Sequence, residues 1–209
     1  MQFTKEAVHI FAESVWKPLN ISMHNHTTME RKENVKFLFF NNSTKQWHFN
    51  ELVEKSKLSR AQVNEWIKLL LKEEMIKRIK LKGKMPHYIA NYENSSFKAQ
   101  KRVYALALLE KSGFLAHLIS LEKAKTVVIF GSMARWDWHD ESDIDLFIYG
   151  NDDDLEQGKY EIKLNREIQV FNAKDKEGLK KLPNGLLKSI ATGYFVKGGL
   201  DFAEVKLNA

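Results

Sequence analysis

The sequence predicts an α+β protein made of two small domains, and three observations carry that expectation. The chain has 209 residues, long for one compact core and about right for two. Its hydrophobic spacing switches repeatedly between the three-to-four period of an amphipathic helix and the alternation or short apolar run of a strand. Its charge is divided: residues 1–93 hold 16 Lys and Arg against 10 Asp and Glu, while residues 94–209 hold 17 of each, so the first part accounts for the whole net charge of +6. The charge alone admits two readings, an anionic partner for the first part or a solvated lysine-rich surface.

Composition excludes several classes. With 44% hydrophobic and 29% charged residues, the chain is ordinary globular material and not a largely disordered one. Its longest apolar runs, such as Val127–Phe130, are too short to span a bilayer, so no membrane partner is expected. The absence of cysteine removes a disulfide frame, a thiol nucleophile and a Cys-based zinc site. Met1–Asn20 mixes Lys5, Glu6, Glu13 and Lys17 with apolar residues, which reads as an amphipathic helix and not as a signal peptide; a cytoplasmic protein is expected.

Phe3, Ala7, Ile10, Phe11 and Val15 recur at helical spacing over residues 3–17, with Pro18 as the stop. Ile21–Glu30 is a polar connector in which His24 and His26 alternate; two histidines without a third ligand read as loop residues. A helix over Val35–Phe40 is expected to break at Asn41-Asn42-Ser43, followed by a short strand over Gln46–Phe49. Asn50 suits the N-cap of a helix carrying Leu52 and Val53 to about Lys57. Ser59 suits the cap of a longer one carrying Ala61, Val63, Trp66, Ile67, Leu70 and Leu71. Met75–Leu81 alternates apolar and basic residues as a half-buried strand does, Lys82-Gly83-Lys84 turns, and His87–Tyr92 returns.

That order over residues 32–93, after a helix and connector in 1–31, resembles a winged helix-turn-helix domain. The resemblance implies that the helix starting near Ser59 is a recognition helix, with Ser59, Arg60, Gln62 and Asn64 suited to base edges and phosphates of duplex DNA. Lys77, Arg78, Lys80, Lys82 and Lys84 would form the wing over the phosphate backbone. The alternative is a winged helix that serves protein contacts or homodimer formation.

Residues 94–121 read as a helical bridge into the second domain, capped at Ser95-Ser96, carrying Phe97, Val103, Tyr104, Leu106, Leu108 and Leu109, and interrupted at Gly113 before Phe114–Leu121. The chemistry lies beyond it. Val127–Phe130 suits a buried strand that delivers Gly131-Ser132, a helix begins in Met133–Trp136, and Asp143–Tyr149 reads as a second strand, acidic at its start. Side-chain alternation puts Asp143 and Asp145 on one face. Two carboxylates so close repel, and a hard divalent cation with oxygen ligands, typically Mg²⁺, is their natural neutraliser. Gly131 permits close approach of backbone to a phosphate, while the Ser132 hydroxyl and the following helix start supply donors. Phosphoryl transfer needs that combination of charge neutralisation and a phosphate cradle.

Gly131-Ser132, ten residues, then Asp143-x-Asp145 resembles the signature of the DNA polymerase β-like nucleotidyltransferase superfamily, and the run GSMARWDWHDESDIDLFIYG resembles its minimal prokaryotic type. The resemblance covers about residues 95–200 and implies an α/β nucleotidyltransferase domain with a mixed sheet. It further implies that Gly131 and Ser132 bind the triphosphate of an incoming NTP, with Arg135 supporting the loop or a phosphate. Asp143 and Asp145 would hold two Mg²⁺ ions, and NMP would pass to an acceptor hydroxyl with release of pyrophosphate. The superfamily places a third acid on a following strand, here Arg166–Phe171, where Glu167 and Gln169 share a face; the expectation leans to Glu167, and an amide in its place would leave the acceptor without a base. Trp136 stands where members commonly have glycine, and both Trp136 and Trp138 read as packing residues. Asp137, His139, Asp140 and Glu141 read as a solvated loop, and Asp152-Asp153-Asp154 as the start of a helix. Asp175–Lys181 and Asn184–Thr192 read as helices separated by Pro183, and Tyr194–Val196 as a strand.

A winged helix followed by this domain is similar to regulators with a fused nucleotidyltransferase domain. Two further readings accompany transfer: a DNA-binding regulator whose second domain senses nucleotide or is inert, and an antitoxin-like partner of a small helical toxin protein.

Overall fold

The computed structural model describes residues 34–135, 137–183, 185–200 and 202. The helix expected over residues 3–17, the connector with His24 and His26, and Trp136 lie outside the described residues. The chain divides into two compact units, one containing residues 34–39 with Thr44–Ala90 and the other Phe40–Ser43 with Asn91 onward.

In the first unit, α1 (Asn34–Asn41) starts the described chain, and β1 (Trp47–His48), α2 (Phe49–Ser56), α3 (Arg60–Lys72), β2 (Ile76–Ile79) and β3 (His87–Ala90) follow. The strands form an antiparallel sheet in the order β1-β3-β2, with Trp47 opposite Tyr88 and Ile76 opposite Ala90. Alternation along β3 buries Tyr88 and Ala90, and Val63, Ile67 and Leu70 form the buried stripe of α3 at helical spacing. Helix α3 begins in a reciprocal cap: Ser59 Oγ accepts from the Gln62 N–H at 3.3 Å, and Gln62 Oε1 accepts from the Ser59 N–H at 3.0 Å. The start of α2 differs from expectation. His48 takes the N-cap position because Glu51, three residues on, accepts its N–H at 2.9 Å; Asn50 lies inside the first turn and accepts from Arg60 instead, at 2.9 Å.

The second unit contains α4 (Ser95–Lys111), α5 (Phe114–Ser120), β4 (Ala124–Phe130), α6 (Gly131–Arg135), β5 (Ile144–Gly150), α7 (Gln157–Leu164), β6 (Ile168–Ala173), α8 (Lys176–Lys180), α9 (Leu186–Ala191) and β7 (Tyr194–Lys197). Its strands form one mixed sheet in the order β6-β5-β4-β7, parallel only between β5 and β6. The unit is therefore α+β. Asn94, one residue before the expected caps, starts α4 by accepting the Phe97 N–H at 2.9 Å. The buried stripe of α4 is Phe97, Lys101, Ala105 and Leu109, whereas Val103 is exposed.

Strand alternation divides the apolar residues of the sheet between its faces. Val128, Phe130, Phe147 and Ala173 face one way and pack with Ile190 of α9 and with Phe202, flanked by Phe171, Leu179 and Leu186. Val127, Ile129, Ile144, Leu146, Ile148 and Ile168 alternate with them and are also buried. A sheet covered on both faces explains the near-continuous apolar runs of β4 and β5. Edge strand β6 is fixed at its start by α7: Glu161 Oε1 accepts the Ile168 N–H at 3.0 Å, and Gln157 Nε2 donates to the Ile168 carbonyl at 2.9 Å. The acidic run before α7 does not begin that helix; Asn151 Oδ1 accepts the Asp153 N–H at 2.7 Å in a turn, and the helix opens at Gln157. No single helix among the described residues is long and apolar enough to cross a membrane.

Replacing Ser59 with Ala removes one half of the reciprocal cap on α3 and should lower stability by about 1 kcal/mol, read as a fall in the urea midpoint at unchanged slope.

Candidate active site

Strand β4 ends at Phe130, and the chain turns immediately into α6 through Gly131, whose φ is 68°. That left-handed value favours glycine, and space requires it as well: a Cβ on Gly131 would fall on the Asp145 carboxylate. The Gly131-Ser132 bend and Asp145 are thus in direct contact. Strand pairing brings this about, because β4 and β5 run antiparallel with Phe130 opposite Asp145.

Asp143 immediately precedes β5 and is exposed, whereas Asp145 is half-buried one alternation further in. Burial pushes the Asp145 carboxyl above its ordinary value, the neighbouring Asp143 charge pushes it further, and Arg135 partly opposes both. Arg135 ends α6 exposed to solvent, its Nε donating to Asp137 at 3.2 Å. Ser132 is half-buried at the second position of α6.

The parallel pairing of β5 with β6 decides what stands beside the acids. Gln169 is level with Asp145, and parallel neighbours project to the same face. Glu167 lies two residues earlier, its carbonyl accepting the Ile144 N–H at 2.9 Å, which puts its side chain on that same face beside Asp143. Both are exposed. The rung through Phe130, Asp145 and Gln169 therefore closes on an amide.

Among the described residues, no three His, Cys, Asp or Glu side chains gather into a group able to hold a metal ion. The donor set at Asp143 and Asp145 still suits a hard cation in part: two carboxylates on one face, one half-buried and destabilised by the other, with no basic side chain between them in the strand.

The loop from Asp137 to Asp143 is held by Trp138, which the sequence marks as a packing residue, and by two basic side chains that it does not single out, Lys101 and Arg166. Trp138 is fully buried, stacked on Tyr104 with centroids 6.0 Å apart, and its carbonyl accepts from Lys101 Nζ at 2.5 Å. Arg166 donates to the carbonyls of His139 at 2.6 Å and Ser142 at 2.8 Å. The Asp140 N–H donates to the Asn41 carbonyl at 2.9 Å, and the Asp140 carboxylate accepts from Asn42 at 2.5 Å. Lys101 was legible as an anomaly, a lysine in the apolar stripe Phe97, Ala105, Leu109 at four-residue steps; Arg166 had no comparable signal.

The residues expected to read DNA all belong to the first unit, and Ser59, Arg60, Gln62, Asn64, Lys77, Arg78, Lys80, Lys82 and Lys84 are all exposed. Ser59 and Gln62 bind one another in the cap of α3, and the Arg60 guanidinium lies over the Phe49 ring at 4.9 Å.

The α+β unit thus sets a glycine-serine bend against Asp145, with Asp143 close enough to raise its carboxyl further. Residues 115–193, from α5 to the glycine before β7, match the family described as Polymerase beta, Nucleotidyltransferase. The match supports that superfamily for this part of the chain and, at a general level, nucleotidyl transfer as its chemistry. No curated protein and no solved structure matches the chain.

The raised Asp145 carboxyl has a signed consequence. Between the ordinary value of 3.8 and its own higher one, the folded protein holds more protons than the unfolded chain, so this group adds stability as pH falls through that window and costs stability above it. D145N should therefore melt higher than the unsubstituted protein at pH 7.5, with the gap closing toward pH 4, as thermal melts at the two pH values would report.

Proposed function

We propose that the second unit transfers a nucleoside monophosphate from an NTP to an acceptor hydroxyl. The observation that carries this reading is the contact between the Gly131 bend and Asp145, which sets a phosphate-binding turn beside a carboxylate pair. Gly131 and Ser132 would hold the triphosphate, with Arg135 at the end of α6 supporting the loop or a phosphate, and Asp143 and Asp145 would hold Mg²⁺. Bound there, the cation neutralises charge on the triphosphate and the two acids. The acceptor oxygen forms a bond to the α-phosphorus, the bond from that phosphorus to the bridging oxygen breaks, and pyrophosphate leaves. The proton of the acceptor needs a base, and Glu167 is the carboxylate on the right face.

Gln169 level with Asp145 favours a second reading, in which the unit binds nucleotide without transferring it, because an amide does not accept a proton usefully. The element order of the first unit, helix, short strand, two helices and a basic hairpin, supports a winged helix that contacts duplex DNA. With Ser59 and Gln62 engaged in the cap, Asn64 and the hairpin lysines carry that contact.

The two readings of the second unit separate in an assay with the four α-labelled NTPs and Mg²⁺. Transfer expects label to move onto an acceptor or the protein itself, with loss of at least a hundredfold in D143N and a marked loss in E167Q. Binding without transfer expects no label moved by the unsubstituted protein and its appearance in Q169D.

For the first unit, affinity for a duplex should fall steeply as salt rises, and replacing Lys82 and Lys84 by Ala should reduce the slope of log affinity against log salt by about 2. Binding that ignores salt would count against a phosphate contact.

A further inference from the structure

Lys101 is an unusual choice for the position it occupies. It is 0% exposed, in the buried stripe of α4, where a Leu or Met would pack without penalty. Its hydrogen-bond partners are neutral oxygens: the Trp138 carbonyl at 2.5 Å, Ser43 Oγ at 2.7 Å and the Tyr92 hydroxyl at 3.5 Å. Its ammonium also lies 4.6 Å from the Trp138 ring. Burial pulls its pKa down to about 8, against the more distant pull of Asp137 and Asp140. A buried cation without a paired carboxylate destabilises a fold, so packing does not explain it.

One of those partners, Trp138, leads to the acids. Trp138 lies in the loop that brings the chain from α6 back to Asp143, and Arg166 holds the next part of that loop by two carbonyls while its guanidinium lies 5.1 Å from the same indole ring. The Trp138 N–H, buried, has no hydrogen-bond partner among the described residues. An indole is thus retained beside two cations, its N–H without a partner among the described residues, and three loop carbonyls are captured. Carbonyl capture restrains backbone, and the restrained backbone ends one residue before Asp143.

We propose that Lys101 and Arg166 are positioning residues: they hold the loop through Trp138, His139 and Ser142 so that Asp143 stands beside Asp145 in the geometry that binds a divalent cation. The proposal rests on the reading of Asp143 and Asp145 as cation ligands. It adds that cation affinity is set by two basic residues that do not touch the cation.

The test uses Mn²⁺ as the probe on the full chain, titrated by electron paramagnetic resonance, with amide hydrogen exchange of residues 137–143 as a readout independent of any metal. K101M keeps the length of the side chain and removes the charge; R166K keeps the charge and replaces the guanidinium, whose Nη1 donates to both carbonyls, with a shorter side chain that does not reach them in the same geometry. Both are expected to melt within a few degrees of the unsubstituted protein, to exchange the loop amides faster, and to weaken Mn²⁺ binding by roughly tenfold or more, the usual effect of disturbing a ligand's support. D145N serves as the control that abolishes binding. Unchanged Mn²⁺ affinity in both variants overturns the proposal, as does loop exchange identical to that of the unsubstituted protein. Should K101M fail to fold, R166K decides the outcome by the same two readouts. Failure of the unsubstituted protein to bind Mn²⁺, or equal binding by D145N, overturns the cation-ligand reading instead, and the exchange data then still report whether the two cations hold the loop.

Discussion

The second unit is organised around a contact in which a carboxylate occupies the space where a side chain would begin. Asp145 rests against the α-carbon of Gly131, so the strand that presents the acid and the turn that follows its neighbour approach closer than any other residue would permit. For this to occur, β4 must end at Phe130, the chain must turn with positive φ, and β5 must return antiparallel with its second residue opposite that end. The aromatic layer over Phe147 and Phe171 reaches the rung of Asp145 through Phe130 alone, since the other two positions of that rung are Asp145 and Gln169. That boundary half-buries Asp145 and leaves Asp143 in water.

Several features of this region oppose stability. A carboxyl raised by burial and by its neighbour, a lysine buried among neutral oxygens, and an indole donor without an acceptor among the described residues all lie in or against the segment from Trp138 to Asp145. Each is costly by the ordinary rules of burial. The fully covered sheet supplies the apolar surface that offsets them, with Val127, Val128, Ile144, Leu146, Phe147 and Ile148 all completely buried. Departures from local rules gathered in one place mark a region selected for something besides folding.

Much of this was legible in the sequence. Strong periodicity located α3, an acidic start and an apolar run located β5, and the spacing of Gly131-Ser132 to Asp143 and Asp145 picked out a bend and a strand start that the fold brings into contact. The signals that misled were local ones with near competitors. Asn50 has the chemistry of a cap, but Glu51 gave that role to His48. Asp152 to Asp154 look like the start of a helix, but Asn151 ties them into a turn. The identity of the residue beside Asp145 was not readable at all, because Glu167 and Gln169 share a face and only inter-strand pairing distinguishes them. Lys101, Trp138 and Arg166 are far apart in sequence, and their convergence is a property of the folded chain.

That pairing makes the chemistry of the rung a matter of sliding. A displacement of β6 by one residue would turn its inward side chains outward, whereas a shift by two would preserve every face and exchange the amide for a carboxylate. What prevents either is a pair of side chains on α7, since Gln157 and Glu161 grip the carbonyl and the amide of Ile168. A helix remote from the acids in sequence therefore acts as the stop that selects which side chain completes their row, and small changes on its inner surface are a route by which such a domain could gain or lose a proton acceptor without altering a single residue of the row itself.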